Sequence, residues 1–369
     1  MTLTKRLRKN ISKISSDELK DFINAIISLN INPSFRYPGN RDDKPFVGGV
    51  SFWFKQDEIH QATHVHGGPA FLTWHRELCN RFERLLRLHN ENISLHYWDW
   101  NEDLEETINS ESKVINLFTG QLLGNSKGEV GDPWRSNNFY NPYPINDNYR
   151  GIESFDIEHS NPADPPLIIT RDKQDGTLHE FMKRNNIRIF TDEEIITSQT
   201  YREMRFKLEH IHNWAHNYIG GTIGDPHTSF CDPFVFLIHS NVDRLFAAWQ
   251  SCKNSEWRLD PEKVYGEDIE SVALGSTSPR VVVGIQTLLS PWCGIGYPFE
   301  YINDKTKLKE EPGVKDVRPW SYPENSHRDP EIPHYEKPKN SLDRSIIRPT
   351  LYDKYPAIEN LEYNTFLEI

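Results

Sequence analysis

Apolar positions along this chain fall into a few helical rhythms separated by long polar stretches. Residues 15–29, SSDELKDFINAIISL, pair a Ser/Asp start with apolar residues at helical spacing, which predicts a first helix. NPSFRYPGNRDDKPF reads as loop, and GVSFWFKQDEIHQA predicts a second helix with Trp53 and His60 seven apart on one face. The GGP at 67–69 breaks that helix. A third is expected from about Trp74 to about His89, with His75, Leu78, Phe82 and Leu85 in one stripe. From about 101 to 190 the chain is rich in Asn, Asp, Pro and Gly, so irregular connections with short helices are expected. The rhythm returns at 199–219, where Leu208, Ile211, Ala215 and Ile219 form a stripe with His212 and His216 beside it. After the loop GGTIGDPHTSFCDP, the stretch FVFLIHSNVDRLFAAWQ aligns His239, Val242, Phe246 and Trp249. The pattern predicts a mainly α fold with an antiparallel four-helix bundle core and long irregular loops. Residues 1–300 read as one domain, and 301–369 as an extended Pro-rich C-terminal segment packed on it.

Composition narrows the class. With 369 residues, 36% hydrophobic and 12% aromatic, the core must lean on Trp, Tyr and Phe. A formal charge of -12 argues against nucleic acid as a partner, and the lone basic run, KRLRK, reads as a solvated helix start. No apolar run approaches the roughly 20 residues needed to span a bilayer, so no membrane association is expected. The N-terminus carries neither an apolar signal core nor a twin-arginine pair, and the expected location is cytoplasmic. Four cysteines, Cys79, Cys231, Cys252 and Cys293, lack zinc-ribbon spacing and read as reduced thiols.

The histidines change the picture. His75 and His239 each head an otherwise apolar stripe, where a polar ring is costly unless it has a partner. His212 and His216, four apart on a helix, leave it on the same side one turn from each other, which suits two nitrogens on one ion. His60 and His66 lie just upstream of His75. Six imidazoles without a matching Cys or carboxylate cluster form a metal-site pattern suited to Zn, Cu, Fe or Ni. Three nitrogens per ion leave coordination positions open for catalysis.

HGGPAFLTWHRELCNRFERLL resembles the copper-A signature of the tyrosinase, catechol oxidase and haemocyanin family of type-3 dicopper proteins. HNWAHNYIGG and DPFVFLIHSNVDRLFAAWQ resemble its copper-B signature, and YWDW at 97–100 also recurs there. The likeness is dense over about 46–100 and 200–250; the 101–199 segment and the tail match nothing. It implies a dinuclear centre of two copper ions inside the bundle core. His66 and His75 take the second and third copper-A places, and His212, His216 and His239 the copper-B places. For the first copper-A place His60 is preferred, with His64 as rival; some relatives carry a cysteine cross-linked to the ligand at the latter position.

The implied chemistry is binding of O2 as a bridging peroxide, o-hydroxylation of monophenols and oxidation of o-diphenols to o-quinones. Phenolic small molecules and O2 are the implied partners, with room for a copper-delivery protein. A free phenol has a pKa near 10, so hydroxylation needs a proton acceptor. In the family that task belongs to a water held by a Glu and by the Asn after the first copper-B histidine. Asn213 occupies the Asn place, and Glu209 is the expected carboxylate, with Glu203 as alternative. Asn217, Pro226 and Val235 are expected around the substrate pocket, Phe71 beneath the site, and Asp243 paired with Arg244 behind His239. Catechol oxidase or o-aminophenol oxidase, an oxygen carrier, and a dizinc hydrolase are the competing readings. A tail tyrosine, Tyr322 or Tyr335, reaching into the centre would make the protein latent.

Overall fold

The computed structural model describes residues 7–35, 39–41, 44–46, 51–54, 56–57, 60, 66–67, 71–140, 168–226, 228–260, 263–264, 272–274, 282–284 and 349–364. Among them the architecture is mainly helical. The helices are α1 (Ser16–Ile31), α2 (Phe71–Leu86), α3 (Leu178–Arg184), α4 (Asp192–Ile196), α5 (Tyr201–Ile219) and α6 (Val235–Ser251). Four antiparallel two-stranded ribbons join them: Gly39–Arg41 with Lys44–Phe46, Thr107–Ile108 with Val114–Ile115, Lys127–Glu129 with Thr170–Asp172, and Val272–Leu274 with Val282–Gly284. No described helix is long and apolar enough to cross a membrane.

Local sequence explains where the helices start. Ser15 caps α1 by accepting from the Glu18 N–H. Thr177 with Glu180 and Thr191 with Glu194 form reciprocal capping boxes that start α3 and α4. The α6 start has no side-chain cap at Phe234; Asp232 does that work from two residues back, its Oδ1 accepting the Phe234 N–H at 2.9 Å. Arg171 reaches Asp232 from the Thr170–Asp172 strand through two bonds of 2.6 and 2.7 Å, both side chains fully buried. That strand lies so close to the turn after α5 that a Cβ on Gly221, at φ +56°, would sit 2.3 Å from the Thr170 carbonyl oxygen. Only glycine fits there.

Every residue of α6 is buried, so this helix is the centre of the fold, with no single inward stripe of the kind expected from its sequence. It packs on α2 through Phe236 and Phe82, stacked with centroids 3.7 Å apart, and on α5 through Phe246 and Tyr201 at 6.0 Å. Its polar residues are paired. Asp243 receives Arg76 from α2 and Arg8 at 2.9 Å. The expected Asp243–Arg244 pair is therefore replaced: Arg244 turns the other way, to the Lys354 carbonyl at 2.8 Å and Asp99 at 3.6 Å. Successive residues on a helix point about 100° apart, which prevents neighbours from sharing a partner here.

Two helices end elsewhere than their apolar rhythm implies. Trp53 lies in a turn, and helical backbone is described for Gln56, Asp57 and His60 only, so Trp53 and His60 do not share a helix face. α2 is already helical at Phe71 and ends at Leu86, three residues earlier at each end than its stripe suggested. Residues 349–364 run back over the helices: the Arg8 N–H donates to the Leu351 carbonyl at 3.1 Å, and the Tyr352 hydroxyl lies 2.8 Å from both the Ser240 carbonyl and Asp243 Oδ2. His64, Cys293, Tyr322 and Tyr335 lie outside the described residues.

Candidate metal centre

Two histidine triads meet in the core. His60, His66 and His75 bring one ring nitrogen each within 4.8 Å of one another, and so do His212, His216 and His239. The triads face each other: the His75 and His239 rings are parallel to within 9° at 4.8 Å, and His66 stacks over His212 at 5.9 Å. α2 supplies His75, α5 supplies His212 and His216, α6 supplies His239, His60 has helical backbone, and His66 sits in a loop. Among the described residues these are the only groups of three or more such side chains so arranged, and neither contains a carboxylate.

Hydrogen bonds decide which nitrogen each ring offers. His75 Nδ1 donates to the Phe71 carbonyl at 2.8 Å, His239 Nδ1 to Val235 at 2.9 Å and His216 Nδ1 to Ile223 at 2.8 Å. His212 Nδ1 meets Asn213 Oδ1 at 2.9 Å. In each neutral ring the proton sits on Nδ1, which leaves a lone pair on Nε2. Yet His212 Nε2 lies 3.1 Å from His239 Nε2 and 3.0 Å from His216 Nε2. Three lone pairs pointing at one another repel, and a cation between them removes the conflict. His75 Nε2 is likewise buried with no hydrogen-bond partner.

Electrostatics agree with this donor set. Desolvation lowers the His75, His212 and His239 rings well below the ordinary imidazole value, and the neighbouring imidazoles add to it. Burial brings His216 down to about 4. All four are neutral near pH 7, the form a metal requires. Nitrogen-only triads suit copper better than Mg or Ca, and the absence of a carboxylate in either triad disfavours a bridged dizinc hydrolase.

The remaining expected residues are less uniform. Asn213 is exposed beside His212, and Asn217 is exposed one turn on, its amide donating to the Asn213 carbonyl at 3.0 Å. Pro226 is exposed. Val235 is fully buried and contributes its carbonyl to His239. Glu209 is 7% exposed, with oxygens bonded to Gly67 N–H and Arg205. Glu203 is half-exposed and paired with Lys207 at 2.7 Å. Ten residues from Asn213 along one helix, it stands about 15 Å away along the axis and cannot share a water with it. Phe71 packs on both triads, 4.6 Å from His75 and 4.9 Å from His212. Phe230, which no sequence pattern marks, stacks on His60 at 4.3 Å and meets the His239 ring at a tilt, 4.9 Å away. It lies in a short 3-10 turn, where no periodicity marks it.

The family model for the common central domain of tyrosinase matches residues 50–252. A tyrosinase of Streptomyces antibioticus is 25% identical over 296 residues, covering 78% of this chain and 92% of its own length. A haemocyanin A-type polypeptide of Enteroctopus dofleini is 25% identical over 256 residues, 66% of this chain, but the chain spans only 18% of it. Among solved structures, a polyphenol oxidase of Thermothelomyces thermophila aligns with a TM-score of 0.45 at 22% identity, covering 66% of this chain and 70% of that one.

Proposed function

Because the chain belongs to the tyrosinase family of type-3 copper proteins, whose common domain binds two copper ions, we propose that it is a tyrosinase-like oxidase. It o-hydroxylates monophenols and oxidises o-diphenols to o-quinones at the expense of O2, within an antiparallel four-helix bundle. The observation that carries this reading is the pair of facing triads, with the Nε2 lone pairs of His75, His212, His216 and His239 turned inward. His60, His66 and His75 would hold one copper and His212, His216 and His239 the other.

Held by the two triads, two copper ions would supply the redox chemistry that couples phenol oxidation to O2 reduction. Each monophenol with one O2 gives one o-quinone and one water; two catechols with one O2 give two o-quinones and two waters. The chain's own residues prepare the site. Four Nδ1–H donors lock the ring orientations, so no reorganisation is needed when a ligand nitrogen is engaged. Phe71 and Phe230 cover the rings and exclude water. Asn213 Oδ1 accepts from His212, leaving its amide N–H groups to hold a water at the mouth. Glu209, one helical turn earlier on the same face, is the proposed proton acceptor through that water. Burial raises its carboxyl above the ordinary value, against the Gly67 and Arg205 contacts, which moves its basicity toward the phenol's.

The Streptomyces tyrosinase supports an enzyme, since the match runs over 92% of its length. The octopus haemocyanin supports a second reading, an oxygen carrier with the same six histidines. Oxygen uptake by the copper-loaded protein on tyrosine and on a catechol separates them. Uptake on both is expected; uptake on catechol alone makes it a catechol oxidase, and reversible O2 binding without turnover makes it a carrier.

A further inference from the structure

Arg205 and Glu209 lie on α5 ahead of His212, the first imidazole this helix gives to the second triad. Arg205 and Glu209 are one turn apart, with Arg205 Nη1 donating to Glu209 Oε2 at 2.7 Å and the side chains 13% and 9% exposed. The other carboxylate oxygen leaves the helix altogether. Glu209 Oε1 accepts the backbone N–H of Gly67 at 2.5 Å, across 142 residues of sequence. Gly67 directly follows His66 and has φ +72°, a conformation that glycine tolerates and other residues avoid. His66 thus sits in a loop, unlike the other triad members, and the residue beside it is bonded to the helix of the opposite triad.

We infer that Glu209 is a positioning residue for the first triad, holding the His66 loop from the helix that carries His212 and His216. Arg205 orients the carboxylate in turn. The inference rests on the copper reading above and deepens it, because one carboxylate makes occupancy of the first ion depend on the second ion's helix. A hydrogen bond to a buried carboxylate is charge-assisted and directional, and it fixes a loop whose backbone has freedom to drift. The same carboxylate serves as proton acceptor on its remaining lone pairs, so the two roles are separable by substitution.

The test loads wild type, Glu209→Ala, Glu209→Gln and Arg205→Met with copper, counts ions per chain and follows their release to a chelator. From Glu209→Ala one of the two ions is expected to leave about ten- to a hundredfold faster, the usual effect of removing a group that supports a metal ligand. The other ion leaves at the wild-type rate. Glu209→Gln keeps an oxygen for Gly67 and holds both ions, while its monophenol turnover falls relative to catechol. Arg205→Met lies between wild type and Glu209→Ala. Wild-type release from Glu209→Ala, equal acceleration of both ions, or a Glu209→Gln as leaky as Glu209→Ala overturns the inference. Retained copper in Glu209→Gln with unchanged monophenol turnover leaves the clamp standing and removes the base. A wild type that takes up no copper overturns the copper reading and the clamp together.

Discussion

Each imidazole of the second triad, and His75 opposite, has its Nδ1 proton committed to a nearby oxygen, the Asn213 amide for His212 and a backbone carbonyl for the others. The consequence is a set of acceptor nitrogens aimed inward before any ion arrives. Asn213 has the additional task of facing solvent, and replacing it with Asp preserves the acceptor for His212 while removing the amide donors. Asn213→Asp is expected to lower monophenol turnover relative to catechol turnover by about a hundredfold, the low end of what a lost general-base contact costs. An unchanged ratio removes Asn213 from the proton path. Away from the centre, His96 is fully buried against Phe22, and desolvation brings its ring down to about 4. The unfolded chain takes up that proton near pH 6.5 and the native protein only near 4, so its contribution is complete above 6.5 and is lost as pH falls through this window. His96→Phe is expected to shrink the stability difference between pH 7.5 and 4.5 in urea unfolding by roughly 2–3 kcal/mol. The burial of His75 and His239 among other imidazoles could be read from sequence, because an imidazole at the head of an apolar stripe conflicts with burial unless it has a partner. The partner of Glu209 could not, since nothing in EHIHNWAH says which distant N–H will meet that carboxylate.

At the scale of elements, α2 and α6 are joined by an aromatic stack at one level and by the Arg76–Asp243 pair at another. Burial alone would raise the Asp243 carboxyl; Arg76 and Arg8 outweigh it and keep it below its ordinary value. Asp243→Asn leaves two buried guanidinium groups facing a neutral amide, and a loss of about 3–5 kcal/mol is expected in denaturant unfolding. A loss under 1 kcal/mol would mean that water reaches the pair. The long helices were legible because their apolar rhythm is strong. The short ones were legible in principle: TLHE at 177–180 and TDEE at 191–194 both carry the capping-box signature ahead of α3 and α4. What the pattern hides is the surroundings of α6, because a helix buried on every side gives no single stripe, and its charged residues are satisfied only by segments far away in sequence.

Across the whole molecule, Arg8 and residues 349–364 close over the back of α6, one turn from His239. Tyr352→Phe removes the hydroxyl shared by Ser240 and Asp243, and a cost of about 1–3 kcal/mol is expected from thermal or urea unfolding. Truncation before residue 349 should cost more than that single substitution. It therefore confounds any search for latency in the tail, whereas exchanging 301–345 for a short Gly/Ser linker keeps Tyr352 in place. If that exchange leaves the melting temperature near wild type and raises phenol turnover, the exchanged segment covers the centre; unchanged turnover assigns it no such part.

Because Tyr352 and the helix behind His239 belong to one chain, their contact does not weaken on dilution. A single protease cut between Val264 and Pro349 would leave the contacts in place and remove that advantage. Nicked protein would behave as intact in a concentrated stock, then shed its last residues on dilution into an assay, so its specific activity would depend on how long and how dilute it had been kept.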